Sequence, residues 1–243
     1  KFNPHTGDLL CHVAESSKCD VDCAIDAAGC AFGKWSDLTP IRRGQLLAEV
    51  VATMKQHSDE LASCIAIETG KPPQDAKGEV DAAILQGEYW AAEGMRLHGR
   101  SLTSAMPGKH SHTVRQPIRI PGLIVPANTP IANIAWKTFP ALICGNTVVL
   151  KAAEDAPRIA ALFASLTKEA GLPDGVFNVV HGRGQTAGAA IVENSRLAVI
   201  SFSGSTEVGR WITEMGGRRL ARVSLELGGK NPFVVCDDAD LDQ

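Results

Sequence analysis

The chain has 243 residues, with 24 Lys and Arg against 27 Asp and Glu, a formal charge of −3 and a pI near 6.2. Hydrophobic residues make up 44% and charged residues 21%, which excludes a disordered chain and predicts one large or two ordinary globular domains. So near-neutral a balance offers no basic field for nucleic acid or anionic lipid, and the pairs Arg42-Arg43 and Arg218-Arg219 are expected on solvated helix faces. The longest uncharged stretch, Ile120 to Trp136, is interrupted by Pro121, Pro126 and Pro130 and predicts no membrane segment. The opening residues lack the apolar core of a secretory signal, and the start without Met leads us to expect that an upstream piece is absent. The seven cysteines lack paired spacing, so reduced thiols in a cytoplasmic protein without a metal site are expected.

In chain order, Cys19 and Cys23 sit near a helix start. Thr39 and Pro40 form a cap and first-turn proline for a helix ending near His57, its buried stripe Leu47, Val50, Val51 and Met54. Ser58, Asp59 and Glu60 open a second helix, which Gly70 and Pro72-Pro73 stop. A third is predicted from about Gln74 to Leu97, with a stripe of Val80, Ile84, Leu85 and Trp90. Residues 101 to 117 read as a protruding hairpin or arm, because Pro-Gly turn chemistry separates extended pieces that need a partner edge. From Gly122 to Leu227 short apolar strands alternate with helices, predicting an α/β fold: a parallel, Rossmann-like sheet covered by helices on both faces. Ligands are then expected at the carboxyl ends of the strands.

Four segments carry candidate chemistry there. SFSGSTEVG makes a turn that opens a helix, where Gly204 and Ser205 let an anion approach free N–H groups at the positive dipole end. It departs from G-x-G-x-x-G, having Thr206 at the second glycine, and an ordinary tight turn remains open. A second glycine-rich turn, from His181 through Gly184 to Gly188, follows another strand in the same orientation. Lys151 and Glu154 in LKAAEDAP offer a donor and an acceptor suited to ribose hydroxyls, or form an exposed loop pair. Asn128 in PANTP is a rigidly held amide suited to an oxyanion, or a turn former. Glu226 in VSLELGGKNP is expected to be a partly buried strand-end carboxylate, raised toward working pH as a general base, or a cap for nearby N–H groups.

Taken in order, NPHTGDLL, PANTP, ALICGNTVVLKAAEDAP, GLPDGVFNVVHGRGQTAG, SFSGSTEVG and LELGGKNP resemble the cofactor-binding half of the aldehyde dehydrogenase superfamily over essentially the whole chain. The resemblance implies NAD(P)-dependent oxidation of an aldehyde to a carboxylic acid through a cysteine thiohemiacetal and thioester. It implies catalytic roles for Asn128 (oxyanion), Glu226 (general base) and Lys137 in the AWK segment (charge stabilisation or proton relay). Cofactor contacts are implied for Pro126, Ala127, Lys151, Glu154, Gly184, Phe202, Gly204, Ser205, Val208 and Leu227. Glu154 would repel a ribose phosphate, which favours NAD, with NADP the alternative. The arm would pair with another subunit in a homodimer or homotetramer.

The expected organisation is a helical part at 1–100, the arm at 101–117, the Rossmann-like core at 118–228 and the start of a catalytic domain at 229–243. Ala127 stands where the family often has Trp, which implies a differently shaped substrate funnel, and Arg119 where a small residue is common. The family's nucleophilic cysteine follows the LELGG glutamate at a spacing this chain does not reach, since it stops 17 residues after Glu226. Cys236, in the strand-like PFVVCDD, lies too near Glu226, and Cys144 is expected in the core. The nucleophile is therefore expected beyond Gln243. A coenzyme A-acylating relative and an inert nucleotide-binding or interaction fragment are the alternatives.

Overall fold

The computed structural model describes residues 1–240; 241–243, within the expected start of a catalytic domain, lie outside the described residues. The elements run α1 (Lys18–Ser36), α2 (Pro40–Gln56), α3 (Ser58–Thr69), α4 (Pro73–Glu93), β1 (Ser101–Leu102) and β2 (Ser111–His112). Then follow β3 (Pro121–Ile124), α5 (Pro130–Ile143), β4 (Val148–Lys151), α6 (Pro157–Glu169), β5 (Phe177–Val180), a π-helical turn at Gly184–Gly188 and α7 (Ala189–Glu193). β6 (Val199–Gly204), α8 (Thr206–Arg218) and β7 (Arg222–Leu227) complete the series. The anticipated alternation is thus present, with strand ends moved by one or two residues.

All five major strands are parallel, in the order β5-β4-β3-β6-β7. Side chains alternate across the sheet. Leu123, Val148 and Leu150 therefore meet α2 to α6 on one face, while Ile124, Val149, Ile200 and Phe202 meet α1, α7 and α8 on the other. Helices cover both faces as expected, though unevenly. On the α5 side of β6 and β7 the strands carry Ser201, Ser203, Ser224 and Glu226, and these line an open cavity of about 630 Å³. β1 and β2 form the expected antiparallel hairpin, and NPHTGDLL forms a turn closed by a single bridge between Phe2 and Leu9.

Several helix details depart from the sequence reading. α1 begins with a capping box, Ser17 accepting from the Asp20 amide and the Asp20 carboxylate from the Ser17 amide. α4 stops at Glu93, before the anticipated Leu97. Its buried stripe is Ala76, Glu79, Val80, Ala83, Ile84 and Gly87, which leaves Leu85 62% exposed, one residue out of phase with the inward face. PFVVCDD forms no strand and pairs with no strand among the described residues, and Phe233 is 92% exposed. Each basic pair also divides. Arg42 is solvated, whereas Arg43 is buried and donates to the carbonyls of Ile143, Ser36 and Leu38. Arg219 likewise donates to the Val192 and Leu197 carbonyls. Carbonyls near helix ends that no backbone amide reaches explain both.

His57 joins α2 to α3 and reaches α6. Its Nδ1 lies 2.8 Å from Glu60 Oε2 and its Nε2 3.3 Å from Glu169 Oε1. A neutral imidazole has one N–H, so only the imidazolium serves both carboxylates. The Glu60 hydrogen bond, with Glu169 second among the partners, raises the His57 pKa above its ordinary 6.5. A raised folded pKa gives stability that is complete below the unfolded value and lost as pH climbs through the folded one. We expect His57→Gln to remove this loss; urea midpoints that fall equally with rising pH in both proteins would refute it.

Candidate functional site

The strand order reverses between β3 and β6, because β3 continues to β4 on one side and β5 crosses to β6 on the other. Open α/β sheets bind ligands at the carboxyl ends beside such a point. Five segments meet there: the Pro126–Thr129 loop after β3, Lys151 to Glu154 after β4, His181 to Gly184 after β5, Ser205 after β6, and the loop after Leu227.

On the β4–β5 side the groups interlock. Lys151 is the last residue of β4 and is 5% exposed, with its Nζ 3.4 Å from Glu154 Oε1. Burial pulls its ammonium below the usual lysine range, and Glu154 counteracts this. The same Glu154 oxygen accepts the Gly184 amide, so one carboxylate ties the ends of β4 and β5 together. Glu15, which the sequence reading did not single out, accepts from the Arg183 amide and the Thr186 hydroxyl of this turn. His181 stands beside Lys151 with its Nδ1 buried and without a partner among the described residues, and burial lowers its pKa.

On the β6 side, Ser205 is the N-cap of α8, its hydroxyl accepting from the Val208 amide at 3.3 Å. The Thr206 and Glu207 amides, earlier in the same turn, find no acceptor among the described residues. Gly204 ends β6, and a methyl group there would collide with the Phe202 ring. Phe202 is itself 6% exposed and packed in the core facing α8. The glycine thus lets that aromatic ring close beneath the turn. Val208 and Leu227 are partly exposed beside it, Leu227 packing against Gly209.

A second group lines the open cavity. Lys137 on α5 donates to Ser201 Oγ at 2.8 Å. Burial holds its ammonium below the normal range, and the Glu226 carboxylate across the cavity works against that shift. Glu226 pairs in register with Ser203 on β6 and is exposed, a correction to the expected partial burial. β7 is the outermost strand, and nothing among the described residues covers its α5-side face. Cys144 borders the same cavity and is exposed, so it is not core packing. Asn128, also exposed, does not line this cavity; it borders a smaller one with Glu68, Thr69 and Asp155. Its Oδ1 is 3.5 Å from the Asn133 amide nitrogen, and Asn133 reaches the larger cavity. Pro126 and Ala127 are half-buried, Ala127 against the core.

The sequence reading also passed over Lys71, Glu68 and Glu79, which hold the loops from beneath. Glu68 accepts from the Arg158 and Ile159 amides and Glu79 from those of Ile131 and Ala132. Both come from helices distant in sequence, so no local pattern announces them. The Ser17-x-x-Asp20 capping box was the one overlooked feature with a local signature. Among the described residues no three His, Cys, Asp or Glu gather as metal ligands, and no helix is long and apolar enough to cross a membrane.

A five-stranded parallel sheet whose order reverses beside glycine-rich turns places the chain among Rossmann-like α/β proteins. The aldehyde dehydrogenase family profile matches residues 1–243, and the chain belongs to that family. It is 43% identical to retinaldehyde dehydrogenase 3 of Mus musculus, covering 99% of this chain and 48% of that protein. It is 41% identical to the succinate-semialdehyde dehydrogenase (NADP(+)) of Escherichia coli, over 99% of this chain and 50% of the relative. The NAD+ complex of aldehyde dehydrogenase from Bacillus cereus superposes with a TM-score of 0.92 at 36% identity, across 99% of this chain and 50% of that one. The chain spans about half the length of the curated relatives it matches.

The Glu154 bridge generates a direct prediction. Glu154→Ala should free the Gly184 amide and quicken its hydrogen exchange about tenfold, the effect of losing ~1.4 kcal/mol. Unchanged protection of Gly184 would show that the turn is held by other contacts.

Proposed function

We propose that this chain is the cofactor-binding part of an NAD(P)-dependent aldehyde dehydrogenase that oxidises an aldehyde to a carboxylic acid. The observation that carries the reading is the meeting of the Lys151–Glu154–Gly184 network and the Ser205-capped helix at the switch point, in a family member. The residues fit a dinucleotide. A buried, unpartnered His181 nitrogen beside a buried lysine calls for a polar ligand, and the free amides opening α8 suit a diphosphate. NAD, when bound, supplies the hydride acceptor.

Lys151 and Glu154 would hold the ribose of the adenosine, and the Ser205 turn the diphosphate, with Pro126, Ala127, Gly184, Phe202, Gly204, Val208 and Leu227 shaping the walls. Glu154 in this role would repel a ribose phosphate, which favours NAD over NADP. Asn128 would donate its amide to the oxyanion, and Glu226 would take the proton of the hydrolytic water. Lys137, across the same cavity from Glu226, would serve charge stabilisation or proton relay. The nucleophilic thiol is assigned to the portion of the relatives' length that this chain does not span. Residues 118–228 form the binding core in this reading and 229–240 lead toward the catalytic part. The two-residue strands of the 101–117 arm, with Leu102, Met106 and Val114 exposed, support pairing with another subunit as a homodimer or homotetramer. The scattered spacing of the cysteines along the sequence supports a cytoplasmic setting.

In the complete enzyme, Glu226→Gln should slow deacylation by about 10²-fold or more while leaving NAD affinity nearly unchanged; equal loss of both would remove the assigned role. Ser205→Asp, which brings a carboxylate to the diphosphate site, should weaken NAD binding about tenfold or more. Calorimetry giving an unaltered Kd would mean that the diphosphate lies elsewhere.

A further inference from the structure

We infer that Lys71 and Glu79 act as a positioning pair that sets Asn128 in place, an assignment that rests on the reading of Asn128 as the oxyanion donor. α5 needs outside help at its start. Its N-cap, Thr129, makes no side-chain capping bond, and Pro130 follows immediately. Glu79, 7% exposed on α4, reaches across and accepts the Ile131 amide at 2.9 Å and the Ala132 amide at 3.3 Å through Oε1. Its other oxygen is paired with Lys71 Nζ.

That ammonium also donates to the Asn128 carbonyl at 2.9 Å. One lysine thus bridges the carboxylate beneath α5 and the peptide unit of the residue that would meet substrate. The backbone sets Lys71 up for this, because Gly70 closes α3 in the left-handed region at φ 78° and turns the chain toward the loop. Asn133 completes the frame by donating to the Thr129 carbonyl at 3.0 Å and hydroxyl at 2.8 Å.

The arrangement fixes the backbone from the Asn128 carbonyl into α5, on one side of the Asn128 side chain. Its amide can then hold one direction without a rigid partner of its own, since the Asn133 contact at 3.5 Å is long. Lys71 and Glu79 need not touch substrate. Their effect is orientation, and a misplacement of about 1 Å at a reacting centre costs on the order of 10²-fold in rate.

The test uses the complete enzyme, steady-state kinetics and a double-variant cycle. Lys71→Met should lower kcat for aldehyde oxidation about 10- to 100-fold, with KM for NAD within about twofold of wild type. Asn128→Ala sets the reference, and adding Lys71→Met to it should cost nothing more, because the lysine acts through that residue. Glu79→Gln keeps an acceptor for the α5 amides and loses the ion pair, so it should reproduce Lys71→Met. Losses that multiply in the double variant, or an unimpaired kcat in Lys71→Met where Asn128→Ala is disabled, would overturn the inference. An Asn128→Ala enzyme with normal kcat would overturn the underlying reading of Asn128.

Discussion

A carboxylate under a helix start is the contact on which the arrangement depends. The first amides of α5 and α6 are buried, and in each case the residue before the helix cannot cap it: Thr129 makes no such bond, and Ala156 has no polar group. Unpaired buried amides cost about 1–3 kcal/mol each. Glu79 from α4 and Glu68 from α3 supply the acceptors, and both helices begin with proline, which lacks the first N–H. Burial, the largest influence on Glu68, raises its pKa, and the two amides work in the opposite direction. Arg43 does the complementary work on the Ile143 carbonyl at the end of α5, and Arg219 on the Val192 carbonyl near the end of α7. Charged side chains from one helix thereby fasten the ends of its neighbours in the same layer.

This fastening divides the site into a closed half and an open half. Around β4 and β5, helices cover both faces, Lys151 is buried, and Glu154 links successive turns. Around β6 and β7 the α5-side face carries serines and a glutamate where the central strands carry leucine and valine, and it lies open. The polar row suits a surface that meets charge or water. Lys137 on α5 and Glu226 on β7 both line the cavity there, and the carboxylate opposes the lowering that burial imposes on the lysine ammonium.

The departures from the sequence reading share a cause. Arg43 looked like half of a solvated pair and is a buried donor, because one carbonyl it serves lies 100 residues away, at the end of α5, beside those of Ser36 and Leu38. Leu85 looked like core and is exposed, since an inward stripe shifted by one residue is decided by which helix packs opposite. PFVVCDD has the composition of a strand, yet a strand exists only with a neighbour. Glu226 follows an apolar strand, and its burial depended on a covering layer that its sequence neighbours do not encode.

Local chemistry alone determined the alternation of strands and helices, the caps at Thr39 and Gly70, the hairpin between 101 and 117, and the turns bearing Lys151, Glu154, Gly204 and Ser205. These follow from hydrophobic period and from residues that favour particular backbone angles, both of which act over a few positions. The strand order, the two-layer coverage with its one open face, and the long-range clasps by Glu68, Glu79, Lys71 and Arg43 were decided only in three dimensions. A buried amide or carbonyl takes whichever partner the packing brings near, and that choice is made between segments distant along the chain.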